Sequence, residues 1–233
     1  MNLRYPLVFC ILAAAVAGAT ETRERVNIDN GWKFAFGNAA SPEKDFGAGT
    51  EYFNYLTKAA SLHNSGPYAT EFNDSAWVTV NLPHDFVVEL PFDSVASHSH
   101  GYKMVGYRYP ETSVGWYRKE IDIPASDSTK RVAVAFDGIF RDSRVWFNGF
   151  YLGSEPSGYP SRSYDVTPYV NWGGKNFIPV RSDATLEEGW FYEGGGIYRH
   201  AWLEKTPRVA IARNSVSIFP DFDNYRPGEP LGM

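Results

Sequence analysis

The sequence predicts an all-β protein that folds as a single antiparallel sandwich. Short runs of alternating apolar and polar residues recur along the chain, and Gly, Pro, Asn and Asp bound them. The 3.6-residue period of an amphipathic helix is hard to find. Asn148-Gly149 separates two apolar runs, and this pair tolerates the positive φ that both centres of a type I′ hairpin turn require. These three observations favour strands joined by tight turns.

The strands follow from the alternation, taken in chain order. Residues 31–36 place Trp32, Phe34 and Phe36 on one face, because successive side chains of a strand point to opposite sides. Nine or ten strands are expected, and the others lie at 76–80, 116–123, 131–136, 144–147, 150–152, 163–166, 176–180, 197–204 and 208–212. The same alternation places Tyr117, Ile121 and Ile123 on one side of 116–123, and in 131–136 it alternates Val132, Val134 and Phe136 with alanines. Residues 37–70 form an insertion with a short helix expected near 52–60, and a loop of that length is typically functional or partly ordered by its own side chains.

The N-terminus has the three parts of a secretory signal over residues 1–19. Arg4 supplies the positive charge, residues 7–16 form an apolar run, and Ala17-Gly18-Ala19 is a cleavage site of A-x-A type. The apolar run is too short to span a membrane, which needs roughly 20 residues, so no membrane anchor is expected. The sequence therefore predicts export to the periplasm or the extracellular space. Cleavage would remove Cys10, the single cysteine, so the mature domain depends on its apolar core.

Charge and composition narrow the class of partner. The chain has 22 Lys and Arg against 27 Asp and Glu, a formal net charge of −5, which argues against nucleic acid as a partner. Phe, Trp and Tyr make up 16% of the residues. Some of these rings are candidates for carbohydrate platforms, because the apolar face of a sugar packs on an aromatic ring.

Five ordered segments resemble the opening domain of glycoside hydrolase family 2, which includes β-galactosidases, β-glucuronidases and β-mannosidases. They are FNDSAW at 72–77 leading into LPHD at 82–85, VGWYRK at 114–119, FDG at 136–138, VWFNG at 145–149 continuing to YDVTPY at 164–169, and GGGIYR at 194–199. The resemblance covers about residues 26–212 and is greatest to β-galactosidase-like members. It implies a galactose-binding-like jelly-roll sandwich that packs against a catalytic barrel and extends loop residues to its sugar pocket.

Asp85 is the first residue to which the resemblance assigns a role. The family places an Asn or Asp at this position, two residues after the proline, where it contacts the terminal sugar. A carboxylate suits this task because it accepts hydrogen bonds from vicinal hydroxyls. His84, beside it, is a second candidate for sugar contact. The alternative is that residues 83–85 form only a turn, in which the Asp side chain accepts hydrogen bonds from nearby backbone N–H groups.

A second sugar contact is expected just before the GGGIYR segment. Some family members have an Asp six residues ahead of its last glycine, where this chain has Trp190. Trp190 is therefore a candidate that departs from the family pattern, and Glu187, Glu188 and Glu193 are the acids that could replace the missing Asp. Glu193 is equally well explained as a solvated loop charge. The three glycines predict backbone that takes positive φ or passes close to a neighbour.

The chemistry of glycoside cleavage is expected to lie outside this chain. Retaining glycosidases use two carboxylates, and the family carries both in its barrel, with an Asn before the acid/base Glu. The sequence contains no Asn-Glu pair and is too short for a barrel of about 250 residues. We therefore expect no catalytic residues, cofactor or metal site. His98 and His100 could share one face of a strand, but no third ligand accompanies them.

The resulting domain prediction is a signal at 1–19, one sandwich at 20–212 and, at 213–233, a tail or the truncated start of an immunoglobulin-like domain. The predicted function is the sugar-binding domain of an exported exo-β-glycosidase, here a fragment whose partner is the missing catalytic barrel. Two alternatives remain open at this point. One is a free-standing carbohydrate-binding module or lectin, and the other is an adhesion or structural sandwich without a ligand.

Overall fold

The chain folds as a β-sandwich of two antiparallel sheets. The computed structural model describes residues 23–47, 66–187, 193–213 and 215–218. One sheet has four strands and the other has six, and the single α-helix among the described residues is one turn long. The predicted all-β class and its jelly-roll sandwich architecture are confirmed. Within these residues, no helix has the length and apolar character needed to cross a membrane.

Ten strands make up the two sheets. In chain order they are β1 (Glu24–Asn27), β2 (Trp32–Phe36), β3 (Val78–Val80), β4 (Val114–Ile123), β5 (Arg131–Phe136), β6 (Ser143–Phe147), β7 (Phe150–Glu155), β8 (Arg162–Asp165), β9 (Gly174–Asp183) and β10 (Ala201–Thr206). The order is β1-β10-β5-β8 in one sheet and β3-β2-β4-β9-β6-β7 in the other. Helix α1 (Phe86–Glu89) follows β3, and 3₁₀ turns cover Ala125–Thr129 and Thr167–Tyr169.

The main core lies between the two sheets. Trp32 and Phe34 of β2 point into it, as the alternation predicted, whereas Phe36 at the end of the strand is 37% exposed. The inward faces of β4 and β5 are also those predicted, with Tyr117, Ile121, Ile123, Val132, Val134 and Phe136 in this core. The faces were predictable because a strand that is buried on one side needs apolar residues at every second position.

A second apolar cluster covers the outer face of the six-stranded sheet. Trp116 of β4 and Trp146 of β6 stack there with ring centroids 5.5 Å apart, and Tyr68 of the insertion stacks on Trp146. Phe46, also from the insertion, packs edge-on against Trp116. The described parts of the insertion, 37–47 and 66–70, therefore cover this face of the sheet rather than extend into solvent.

Two buried arginines fasten the insertion to the sheet. Arg181 of β9 donates from Nε to Oδ2 of Asp45 at 2.8 Å, and the indole N–H of Trp116 donates to Oδ1 of the same carboxylate at 2.7 Å. Arg118 of β4 donates to the carbonyls of Pro67 and Ala69 and forms an ion pair with Asp74. Burial of these cations is tolerated because each has an acid and further hydrogen-bond partners.

The hairpin prediction is confirmed. Asn148 and Gly149 join β6 to β7, and both have positive φ, +48° and +85°. The Asn148 side chain donates to Asn176 Oδ1 and to the carbonyl of Tyr169, and it accepts from the amide of Phe177. This asparagine therefore both permits the turn and ties it to two neighbouring segments.

Two strand predictions differ markedly from the structure, and one strand was not predicted. Residues 208–212 are not a strand: β10 ends at Thr206, Pro207 follows without an N–H to donate, and Val209 is 92% exposed. The last long strand begins at Ala201 rather than at Ile197. β1 was not predicted, because its four residues include one apolar side chain; it forms by pairing with the edge of β10. The helix expected near 52–60 lies outside the described residues.

Candidate functional site

Asp85 begins α1 and ties it to the glycine-rich loop. Its Oδ1 accepts the amide N–H of Val87 at 3.0 Å, which is the hydrogen bond of a helix N-cap, and the amide N–H of Gly195 at 2.9 Å. Among the described residues, no hydrogen-bond donor contacts Oδ2. The half-buried carboxylate thus has one oxygen held by two backbone amides and a second that accepts no hydrogen bond from the described residues.

The three glycines of the loop are packed against the segment that carries Asp85. A Cβ on Gly194 would overlap Asp85 Oδ2, and a Cβ on Gly195 would lie 2.6 Å from the ring of Phe86. Gly196 has a φ of +106°, and a Cβ there would overlap the hydroxyl of Tyr117. The predicted close approach of this backbone to a neighbour is confirmed. The carboxylate of Asp85 fits beside the loop only because these residues lack side chains.

His84 points into the sandwich. Its Nδ1 shares a 2.8 Å hydrogen bond with the hydroxyl of Tyr117, and its ring packs edge-on against Phe34. Burial lowers the pKa of His84, against the opposing effect of Glu89 and Asp85, and burial raises the pKa of Tyr117 well above its usual range. Both groups are therefore neutral near pH 7, and His84 supports the turn that presents Asp85. Its proposed contact with sugar stays a prediction.

Glu193 is a buried residue, with 5% of its surface exposed. Its amide donates to the carbonyl of Ser99 at 3.1 Å, and its Oε2 lies 3.7 Å from Nδ1 of His100, which is 2% exposed. This burial argues against a solvated loop charge, and the pocket role of Glu193 stays a prediction. Glu193 packs the glycine-rich loop against the loop that contains His100.

Of the other predicted acids, Glu187 is among the described residues. Glu187 is exposed, and it accepts a 2.8 Å hydrogen bond from the hydroxyl of Ser97. Glu188 and Trp190 lie outside the described residues, so the break in the family pattern at Trp190 stays a sequence observation. Asp85, Glu187 and Glu193 all belong to segments that meet at one end of the sandwich, where β4 begins and β9 ends.

The histidine pair does not share one face of a strand. Residues 98–100 form a turn, with His98 exposed and His100 buried. Within the described segments, no group of three His, Cys, Asp or Glu side chains is placed to hold a metal ion. The burial of His100 against Glu193 was not predicted, because it depends on the contact of two loops that are more than 90 residues apart in sequence.

Comparison with known proteins identifies the family. The model of the sugar binding domain of glycosyl hydrolases family 2 matches residues 105–207. The chain contains a family 2 sugar-binding domain. The matched residues include β4 to β10 and four of the five short segments, so the recognition of the family is confirmed; the segment at 72–85 precedes the matched residues.

Relatives of the family 2 domain are β-galactosidases and β-glucuronidases. A β-galactosidase of Bacteroides ovatus, BoGH2A, is 40% identical over 141 residues, which are 60% of this chain and 16% of the relative. A β-glucuronidase of Formosa agariphila is 30% identical over 166 residues, 66% of this chain and 16% of the relative. The chain thus spans about a sixth of the length of these relatives.

Solved structures agree with this assignment. A β-glycosidase from Bacteroides vulgatus matches with a TM-score of 0.59 and 32% identity, over 78% of this chain and 20% of that one. A family 2 member from Bacteroides cellulosilyticus matches with a TM-score of 0.61 and 29% identity, also over 78% and 20%. The likeness therefore extends over most of the sandwich and over one part of each larger protein.

Proposed function

We propose that this domain places the carboxylate of Asp85 at the rim of the sugar pocket of a retaining exo-β-galactosidase. The observation that carries the proposal is the split use of the carboxylate: Oδ1 is held by two backbone amides, while Oδ2 accepts from none of the described residues. An oriented carboxylate oxygen is a strong acceptor for a sugar hydroxyl. In this role the domain binds and orients the terminal sugar, and the two carboxylates that break the bond come from a catalytic barrel.

A chimera tests the role of Asp85. Residues 23–213 would replace the matching segment of BoGH2A, and hydrolysis of an aryl β-galactoside would be measured. We expect an active chimera in which Asp85→Asn lowers kcat/KM by about 10- to 100-fold, the value of one hydrogen bond to a charged group. Asparagine keeps the acceptor that Val87 and Gly195 use, so this variant changes only the atom that faces the ligand.

Asp93→Asn is the matched control for that chimera. Asp93 also accepts a backbone amide through Oδ1, that of Val95 at 3.0 Å, but its Oδ2 already accepts from the hydroxyl of Tyr109 at 2.8 Å. We expect no change in kcat/KM for this variant. A folded chimera without activity, or equal losses for the two variants, would contradict the proposed role of Asp85.

We propose further that the chain is exported and processed after Ala19. The support is the charge at Arg4, the apolar run and the small residues before Thr20. Expressed with its natural N-terminus in a bacterial host, the protein should be recovered from the periplasm or medium with Thr20 as its first residue, as read by N-terminal sequencing. Leu12→Arg should keep it in the cytoplasm, because a charge interrupts the apolar run. An exported product that still begins at Met1 would rule out processing at this site.

A further inference from the structure

An aromatic groove lies at the end of the sandwich opposite Asp85. It has a volume of about 490 Å³, and the rings of Phe150, Tyr169 and Phe177 line it. Phe177 is near the start of β9. The segment carrying Asp85 packs instead on Gly115 of β4, which pairs with Ser182 near the end of β9. Five residues of extended strand separate the two positions by about 17 Å. The groove is therefore separate from the proposed contact at Asp85.

The floor of the groove is a stacked aromatic pair. The rings of Phe150 and Tyr169 are 4.5 Å apart between centroids, with an angle of 22° between their planes. Tyr169 is half-buried and packs on the main core, while Phe150 keeps 38% of its surface exposed. A large ring that is stacked on one side and open to solvent provides a flat apolar platform.

The platform is held by a hydrogen-bond frame of two asparagines. Asn148 joins the turn before Phe150 to the carbonyl of Tyr169 and to the amide of Phe177. Asn176, which is fully buried, accepts from the Asn171 amide and donates to the carbonyls of Asn171 and Gly174. Three backbone segments that carry the three rings are thus fixed to one another. Such preorganisation lowers the entropy lost when a ligand binds.

Polar side chains line the groove beside the rings. Glu71 and Asn171 are exposed, and Lys175 is exposed while it forms a 2.7 Å ion pair with Glu120. One acid, one amide and one ammonium group offer both donors and acceptors, with no excess of either charge within the groove. This combination fits a neutral ligand that has an apolar ring face and hydroxyl groups around it.

We propose that this groove is a second carbohydrate-binding site, which takes a neutral oligosaccharide by stacking one sugar ring on Phe150. Hydroxyls of the bound sugar hydrogen-bond to Glu71, Asn171 and Lys175. A pocket of this volume is within the range that small-molecule ligands occupy. The site would hold the domain on a glycan independently of the contact at Asp85, which is the property expected of a carbohydrate-binding module.

The test is a titration of the whole ¹⁵N-labelled chain with neutral β-linked tetrasaccharides of galactose, glucose, mannose and xylose. We expect at least one to bind, with chemical-shift changes centred on Phe150, Tyr169 and Phe177. Phe150→Ala should lower the affinity by about tenfold, the upper range of an aromatic stacking contribution. Tyr159→Ala is the matched control, because Tyr159 is 65% exposed but packs against Phe140 elsewhere on the surface; its affinity should not change.

Two further variants keep the outcome decisive. Glu71→Gln, at an exposed position, should also weaken binding. This variant tests the groove if Phe150→Ala does not fold. Asp93→Asn, at a residue outside both proposed sites, should leave binding at the groove unchanged. Absence of binding by all four tetrasaccharides, or shift changes centred on Asp85 and Gly195 instead, would overturn the proposal. Neither result would affect the chimera test of Asp85, so the two proposals can fail separately.

Discussion

Gly196→Ala is expected to lower the free energy of unfolding by about 4 kcal/mol, since it combines backbone strain with overpacking. The residue has a φ of +106°, which side chains rarely allow. An added Cβ would overlap the Tyr117 hydroxyl and lie 2.8 Å from the carbonyl of His84. The backbone must move away, and the hydrogen bond between Asp85 and Gly195 next to it would be lost. Urea unfolding at neutral pH measures the change.

Gly31→Ala separates the two causes. Gly31 also has positive φ, +71°, but the nearest atom to an added Cβ is the flexible end of Lys119 at 3.6 Å. We expect the free energy of unfolding of this variant to fall by about 1–2 kcal/mol, which is the cost of left-handed backbone strain alone. If Gly196→Ala lowers the free energy of unfolding no more than Gly31→Ala does, the close packing around Gly196 adds nothing to the cost of the substitution.

Asp45→Asn is expected to lower the free energy of unfolding by about 3 kcal/mol, because it leaves Arg181 buried with its main acid removed. Asp45 is fully buried; burial raises its pKa, against the attraction of Arg181. In the variant, the amide nitrogen of Asn would face the guanidinium, and two donors would oppose each other. Urea unfolding measures the decrease in the free energy of unfolding. Faster hydrogen exchange of the Trp116 indole N–H would show that the destabilised region is where the insertion packs on the sheet.

Glu120→Gln controls for the loss of a charge pair as such. Glu120 lies 2.7 Å from Lys175, but both side chains are largely exposed, at 46% and 65%. Exposed pairs contribute about 0–1 kcal/mol, so this variant should be nearly as stable as the parent protein. Similar losses for Asp45→Asn and Glu120→Gln would show that burial does not make the Asp45 contact important.

The strands that the sequence predicted well are those with one buried face. In β4 and β5 the alternation named the inward residues correctly, because the two-residue period of a strand is a local property. The Asn148-Gly149 turn was predictable for the same reason, since positive φ is a property of the residues themselves. The presence of β1 and the absence of a strand at 208–212 were not predictable from the sequence. An edge strand forms only where another strand offers unpaired backbone groups.

The candidate site was predictable in part. Asp85 and the glycine-rich loop were named from short motifs, but the hydrogen bond between Asp85 and Gly195 was not predicted. The direction of His84 into the core, the burial of Glu193 against His100 and the cover that the insertion forms over Trp116 were not predicted. Each depends on which loop packs against which, and side chains distant in sequence carry no local pattern for that.

The sequence by itself determined the fold class and the family, because alternation, turn chemistry and motif order are all properties of neighbouring residues. Only the tertiary structure decided which oxygen of Asp85 accepts backbone amides and which accepts none from the described residues. It also brought Phe150, Tyr169 and Phe177 together from three strands and turns. The physical reason is that a binding surface is made by contacts between segments that are distant in sequence. No local pattern of residues specifies those contacts.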